Sequence, residues 1–302
     1  MTEIATNTPV RIDSPSKRIA KQFIEDPVAV VGLILFGLVA LIAIAAPWLA
    51  PQNPYDLAQL NIMDSSLPPG ETSFDTEMTY WLGTDQQGRD MLSAIMYGLR
   101  ISLLVATVSL ALAITIGTIV GVFAAFFGGR LDSIIMRIVD LQLSFPAILI
   151  ALILLALLGR GVDKVIMALV IVQWAYYART VRSSAMVERS KDYIDAARCL
   201  GLPSRRIMFR HLLPNCVPPL IVVATVQIAQ AIALEATLSF LGVGVPITEP
   251  SLGLLIANGY DYLLSGNYWI SVFPGIALVV TIIAINLVGD RLRDVLNPRL
   301  QK

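Results

Sequence analysis

The stretch Ile101-Ser-Leu-Leu-Val-Ala-Thr-Val-Ser-Leu-Ala-Leu-Ala-Ile-Thr-Ile-Gly-Thr-Ile-Val-Gly-Val-Phe-Ala-Ala-Phe-Phe127 runs for 27 residues without a charged side chain. A helix needs about 20 mainly apolar residues to cross the hydrocarbon core of a bilayer. Where no water is present, each backbone group must find its partner inside the helix. The stretch therefore reads as a membrane-spanning helix, and it fixes the solvent for the rest of the chain. Five further runs read the same way: 28–49, 133–158, 165–181, 217–240 and 269–288. The run 165–181 is the least apolar, because Gln173 and Arg179 interrupt it. Composition agrees, with 56% hydrophobic and 15% charged residues and a mean hydropathy of +0.72. Soluble domains average about 45–50% apolar and about 25% charged residues.

The expected fold is all-α with six transmembrane helices. Its orientation follows from Lys and Arg, which concentrate in cytoplasmic segments. With the N-terminus inside, all but Arg89, Arg100, Arg160 and Lys164 of the 22 basic residues fall on the inner side. Both termini are then cytoplasmic. Residues 1–27 form a cytoplasmic N-terminal segment and 28–49 the first span. The run 28–49 begins too late and is too long for a secretory signal, so it is retained. Residues 50–100 form an extracytoplasmic segment large enough for a small folded cap. Residues 101–302 form a core of five spans with a cytoplasmic loop at 182–216. The second long outer segment, 241–268, holds Pro246, Pro250, Gly253 and Gly259 and predicts turns with a short helix. Trp48, Trp81 and Trp269 stand where an interfacial aromatic belt is expected.

Zero net charge gives no reason to expect nucleic-acid binding. Cys199 and Cys216 are too few for a disulfide framework and read as reduced thiols. His211 is the only histidine, so a zinc site is not expected. The chain has no GxxxxGK[ST] phosphate loop, no HExxH and no GxSxG, so it is not expected to be an enzyme or to bind ATP itself.

Helices in lipid approach one another through small residues. Ser109, Ala113, Gly117, Gly121 and Ala125 recur every fourth position and form one ridge. It serves either packing within the chain or contact with a second membrane subunit. Arg137 and Asp140 are three apart and can pair on one helix face. Glu235 lies in the fifth span with Gln227 and Gln230, and polar groups at this depth face water or protein. The three line a translocation path or form a buried hydrogen-bond cluster. Ser144-Phe145-Pro146 predicts a bend in the third span, since Pro146 lacks a donor and crowds the preceding turn.

The most informative loop is Asp192-Tyr-Ile-Asp-Ala-Ala-Arg-Cys-Leu-Gly-Leu-Pro-Ser-Arg-Arg-Ile-Met-Phe-Arg-His-Leu-Leu-Pro-Asn215. A short helix through Asp195 to Leu200 stops at Gly201, whose left-handed backbone suits a helix end. Pro203 opens a second helix, expected to end before Pro214. The product is an elbow lying on the membrane surface. Asp195-Ala196-Ala197, Gly201 and Leu213-Pro214 resemble the EAA loop of binding-protein-dependent ABC importer permeases. Aspartate stands here for the usual glutamate, and His211 for the commonest isoleucine.

Other segments resemble the C-type subunit of the dipeptide, oligopeptide and nickel branch. They are Trp81-Leu-Gly-Thr-Asp85, Gly88-Arg89-Asp90, Gly98-Leu-Arg-Ile-Ser-Leu103, Leu238-Ser-Phe-Leu-Gly242, Pro250-Ser-Leu-Gly253, Asn286-Leu-Val-Gly-Asp290 and Asn297-Pro298-Arg299. The resemblance implies a type I ABC importer half-pore in a bacterial inner membrane, for dipeptides or oligopeptides. Nickel complexes or another small solute are the alternative. It further implies a second permease subunit, two ATP-binding subunits that hold the ATP-Mg, and an extracytoplasmic binding protein. Asp195, Ala196, Ala197, Gly201, Leu213 and Pro214 would couple to the ATPase. The segment 81–90 reads either as a dock for the binding protein or as plain turn chemistry. A self-sufficient secondary transporter would favour inverted repeats, and none is apparent.

Overall fold

The computed structural model describes residues 15–296. Residues 1–14 of the expected N-terminal segment and the motif Asn297-Pro298-Arg299 lie outside the described residues.

Helix α1 (Pro15–Ile24) precedes α2 (Pro27–Leu49), which Asp26 caps by accepting the Val28 N–H at 2.9 Å. The first apolar run is thus a single helix of 23 residues. At its far end, residues 50–90 fold into a cap held by buried polar groups. Asp64 accepts from the Ser73 hydroxyl at 2.7 Å, the Phe74 N–H at 2.9 Å and the Tyr80 hydroxyl at 2.9 Å. A two-strand ladder pairs β1 (Glu71–Thr72) with β2 (Thr79–Tyr80). The cap passes directly into α3 (Met91–Phe127), because Asp90 takes the Ser93 N–H at 2.9 Å and starts the helix. Those 37 residues span about 55 Å at 1.5 Å each, well beyond the hydrocarbon core.

Gly128 and Gly129 both adopt positive φ and reverse the chain into α4 (Gly129–Leu143). The third apolar run is not one straight span. It breaks at Ser144-Phe145-Pro146 into α4 and α5 (Ala147–Leu158), which meet at 89°. Pro146 supplies no donor, and the Ser144 hydroxyl turns back to the Asp140 carbonyl at 2.7 Å. Next come α6 (Val162–Arg189), α7 (Asp192–Cys199) and α8 (Ser204–Arg206). A π-helical turn over Ile207–Leu212 leads into α9 (Leu213–Phe240), followed by α10 (Leu252–Tyr260) and α11 (Trp269–Leu296). Four helical runs among the described residues are long and apolar enough to cross a bilayer, and the bent α4–α5 pair is a fifth candidate. Helix α6 has the length, with 28 residues, but Gln173, Arg179, Arg182, Glu188 and Arg189 lower its apolarity.

Arg291 of α11 donates to the Gln22 carbonyl at 2.5 Å and pairs with Asp26 at 3.6 Å. The start of α2 and the end of α11 therefore share the end of the molecule that carries α7, opposite the cap.

The small-residue ridge is spent inside the chain. Ser109, Ala113, Gly117, Gly121 and Ala125 are all buried. A Cβ at Gly117 would lie 2.5 Å from the Trp174 carbonyl oxygen, and one at Gly121 2.6 Å from that of Ala178. The ridge is the seat of α6, so the reading that offered it to a second subunit is corrected. Small side chains let α3 and α6 meet backbone to backbone. Asp140 is also corrected. It pairs with Arg179 of α6 rather than with Arg137, and Asp132 pairs with Arg182 at 2.6 Å. The α4 carboxylates thus hold α6 instead of bridging their own helix.

Trp269 does not join an interfacial belt. It is 6% exposed, and its indole N–H donates to the Thr84 carbonyl at 3.0 Å. The ring lies against Gly83, where a Cβ would come within 2.8 Å of its Nε1. Trp48, at 81%, and Trp81, at 69%, are exposed.

Candidate functional site

Two features are the candidates for function, and a single helical run, Ser204–Phe240, leads from one to the other. The first is the elbow. Ile194 and Ala197 of α7 are buried with Ile207, Met208 and Leu212 in the cluster formed by the ends of α3 and α6. The opposite face of α7 is open: Asp195, Ala196, Leu200 and Gly201 are exposed, Leu200 at 79%. Asp195 pairs with Arg198 at 3.0 Å on this surface, an exposed pair of the kind worth about 0–1 kcal/mol. A partner can therefore replace Arg198 at little cost. Gly201 has φ +69°, and a Cβ there would meet nothing within 4 Å. The sharp turn is required by backbone conformation and not by crowding inside the chain.

The expected second helix does not stop before Pro214. It runs on, and Ser204–Phe240 is one helical run of 37 residues. Pro214 lacks the N–H that would close an α-turn to Arg210. The helix widens locally, with the Leu213 N–H reaching the Met208 carbonyl. Asn215 Nδ2 donates to the His211 carbonyl at 2.7 Å, which relieves the interrupted ladder. Leu213 is half-buried and Pro214 exposed, so they shape the helix entry instead of presenting the open face. Sequence reasoning missed the knot that holds this region. Glu188 accepts from Lys191 Nζ at 2.5 Å and the Tyr193 hydroxyl at 2.8 Å, and Asn215 donates to that hydroxyl at 3.1 Å. Burial, then the bond to Glu188, pushes the Tyr193 hydroxyl up to about 12.

The second feature is a groove of about 560 Å³ between α5, α6 and α9, lined among others by Gln173, Tyr176, Gln227, Gln230 and Thr237. It carries no carboxylate and no basic side chain. Gln173 Nε2 donates to the Gln227 carbonyl at 3.0 Å and so clips α6 to α9 beside the groove. Gln227 and Gln230 stand together as expected, whereas Glu235 does not join them. Glu235 is fully buried, accepting from the Ser102 hydroxyl of α3 and the Ser239 hydroxyl of α9, both at 2.8 Å. At 3.6 residues per turn it points about 80° away from Gln227, which turns it from the groove into the packed interior. Glu235 is thus a structural hydrogen-bond centre, and its assignment to the path is corrected. Gln173 takes its place among the groove residues; it had registered in the sequence only as an interruption of an apolar run.

A set of spanning helices around an uncharged polar groove, with an anchored elbow at one end, defines a membrane permease. The chain belongs to the family of binding-protein-dependent transport system inner membrane components, whose model matches residues 117–302. Residues 14–69 match the N-terminal TM domain of oligopeptide transport permease C. The family is one of permeases and not of catalysts. Among similar proteins, the di/tripeptide transport system permease protein DppC of Pseudomonas aeruginosa is 36% identical, over 95% of this chain and 93% of that one. The dipeptide transport system permease protein DppC of Escherichia coli is 39% identical, over 91% and 90%. A solved chain of the inward-facing MetNI methionine ABC transporter shares the fold, with a TM-score of 0.57 and 24% identity over 68% of this chain and 98% of that one.

Proposed function

We propose that this chain forms half of the translocation pore of an ATP-driven importer of dipeptides or oligopeptides in a bacterial inner membrane. The observation that carries the proposal is the elbow's two-faced build. One face is packed onto α3 and α6, the other is open with a weakly held carboxylate, and the helix leaving it lines the groove. In this reading α4 and α5 together make one broken span and α6 another, giving six, with the α7 end cytoplasmic and the cap outside. The open face of Asp195, Ala196 and Gly201 enters a groove of an ATP-binding subunit. Ala196 allows close approach, Asp195 meets a basic group, and Ala197 with Leu213 and Pro214 keeps the elbow rigid. A second permease subunit closes the groove of Gln173, Gln227 and Gln230 into a pore. An extracytoplasmic binding protein delivers the peptide to the cap side, where the exposed Trp81 loop is a docking surface. Two ATP-binding subunits complete the assembly.

Substitution at Gly201 tests the coupling. A side chain there meets nothing in this chain, so the intrachain cost of Gly201→Asp is the strain of a φ of +69° alone, about 1–2 kcal/mol. Gly201→Ala carries the same backbone strain without the charge, so the defect of Gly201→Asp beyond that of Gly201→Ala arises from the partner. ATPase activity stimulated by loaded binding protein, measured in proteoliposomes of the whole complex, is expected to fall together with uptake. Normal stimulation and normal uptake in that variant would sink the assignment.

A further inference from the structure

At the cap end, the 85–89 loop, the α5–α6 turn and α10 enclose a cavity of about 440 Å³. Arg89 lines it with a side chain only 6% exposed. Its Nε donates to Asp85 Oδ2 at 2.7 Å, and among the described residues neither Nη group has a hydrogen-bond partner. Asp85 has little more to offer, because Oδ1 already accepts the Gln87 N–H at 2.8 Å and the Arg89 N–H at 3.0 Å. The guanidinium is therefore clamped at one nitrogen, with its Nη fork uncommitted in the wall of the cavity. A fork held in place by its Nε bond and open to the cavity is pre-organised to take a planar anion in its Nη groups.

A second guanidinium faces the same space. Arg160 lines the cavity beside Gly242, where a Cβ would lie 4.0 Å from its Nη2, and it forms no ion pair among the described residues. The other ionisable wall group besides Asp85 and Tyr262 is Asp261, exposed and likewise without an ion pair among the described residues. The cavity thus offers two guanidinium forks and one uncommitted carboxylate. Arg forks match a carboxylate bidentately and bind it about twice as strongly as neutral donors do.

We propose that this cavity is a subsite for a small peptide, its free C-terminal carboxylate gripped by Arg89 and Arg160 and its amino group turned toward Asp261. The choice of a peptide rests on the transport reading above; the carboxylate grip rests on the geometry. The site lies on the cap side, ahead of the groove, and it holds a newly delivered peptide by its backbone charges without reading its side chains.

The test is a calorimetric titration of the whole transporter complex in lipid nanodiscs with alanylalanine, in the absence of binding protein. Saturable binding is expected. It should weaken about tenfold or more in Arg160→Gln, the loss that follows removal of a charged hydrogen bond, with partial recovery in Arg160→Lys. Arg89→Lys, which keeps the partner for Asp85 but removes the fork, should weaken it similarly. Alanylalanine amide should bind the unsubstituted complex no better than alanylalanine binds Arg160→Gln. Absence of saturable dipeptide binding, or equal affinity across the variants and the amide, overturns the subsite. So does a flat titration combined with a raised binding-protein concentration for half-maximal uptake, which would assign the forks to an acidic side chain of that protein. ATP-dependent uptake by the unsubstituted complex is scored separately, so failure of the transport reading leaves the titration interpretable.

Discussion

Gly117→Ala should loosen the seam between α3 and α6, and the structure sets its size. The new methyl would sit 2.5 Å from the Trp174 carbonyl oxygen, 2.6 Å from the Tyr177 Cβ and 2.9 Å from the Ala178 nitrogen. Restoring carbon contacts to about 3.5 Å requires the two helices to separate by about 1 Å. None of the three atoms can swing aside, since each belongs to the backbone or is a Cβ. Overpacking of this kind costs about 1–3 kcal/mol. Replacing glycine by alanine within a helix returns about 0.5–1 kcal/mol. Gly37 of α2 supplies the control, because a Cβ there meets nothing within 4 Å. Gly37→Ala should therefore stabilise by the propensity term alone, about 0.5–1 kcal/mol. The two variants should differ by about 2 kcal/mol, measured by denaturant unfolding of the chain in mild detergent. If Gly117→Ala unfolds like Gly37→Ala but fails to assemble with the second permease, the ridge belongs to that partner and the seam has been misread.

Glu235→Gln should leave peptide uptake kinetics unaltered, since the side chain serves Ser102 and Ser239 away from the groove; a changed rate at normal assembly would return it to the path. Glu235→Leu strands two buried hydroxyls and should cost about 1–3 kcal/mol of stability, read by thermal unfolding in detergent. Trp269→Phe removes the donor to the Thr84 carbonyl and should lower cap stability by about 1–2 kcal/mol, whereas Trp48→Phe should be silent in the same melt. Burial raises the Asp64 carboxyl, but bonds from Ser73, the Phe74 N–H and Tyr80 outweigh it, and the net displacement is below its ordinary 3.8. Its ionised form therefore stabilises the cap above that value, and the contribution is lost as pH falls through the lower folded value. Limited proteolysis of the cap should accelerate below about pH 4; an Asp64→Asn chain that keeps the same acid response would refute the assignment.

Most spanning helices were legible because lipid leaves the backbone one solution and apolar length announces it. What faces each helix was less legible. The spacing of Ser109, Ala113, Gly117, Gly121 and Ala125 declares a face of small residues but is silent about its occupant. Glu235 and Gln227 lie on one helix, and about 80° of rotation separates a groove wall from a buried knot. Sequence spacing records that angle, yet only the positions of α3 and α6 say which side is wet. Trp269 stands at a span end, where belts occur, and becomes a pin only because Gly83 clears room for its ring. Pro146 signalled a bend, but neither its 89° nor the ion pairs that hold α4 against α6 can be read from spacing along one helix. The elbow was legible in its turn at Gly201 and not in its exit, since the continuation past Pro214 needs the π-helical turn and the Asn215 side chain to replace lost backbone bonds.

That continuation bears on how force would travel. An elbow ending before Pro214 would hang from a joint, and motion at α7 would dissipate there. Instead Ser204–Phe240 is a single run of 37 residues, about 55 Å long, which carries Gln227 and Gln230 in its middle and packs against α10 beside the cap. Gly253 of α10 lies where a Cβ would come within 2.1 Å of the Ala236 carbonyl oxygen. Backbone contacts this close transmit displacement because packed interiors compress little. Meanwhile Ile194 and Ala197 fix α7 onto the ends of α3 and α6, and the Glu188–Tyr193–Asn215 knot ties α6, α7 and α9 together. If the open face of α7 is the ATPase dock proposed above, a pull on it would move the α6 and α9 walls of the groove together. The third wall, α5, packs on α6 and α9 through Ala151 and Leu155, and its chain connection to α4 is the 89° break. That break, at Ser144-Phe145-Pro146, stands next to Ala147 and Ile148, which line the groove.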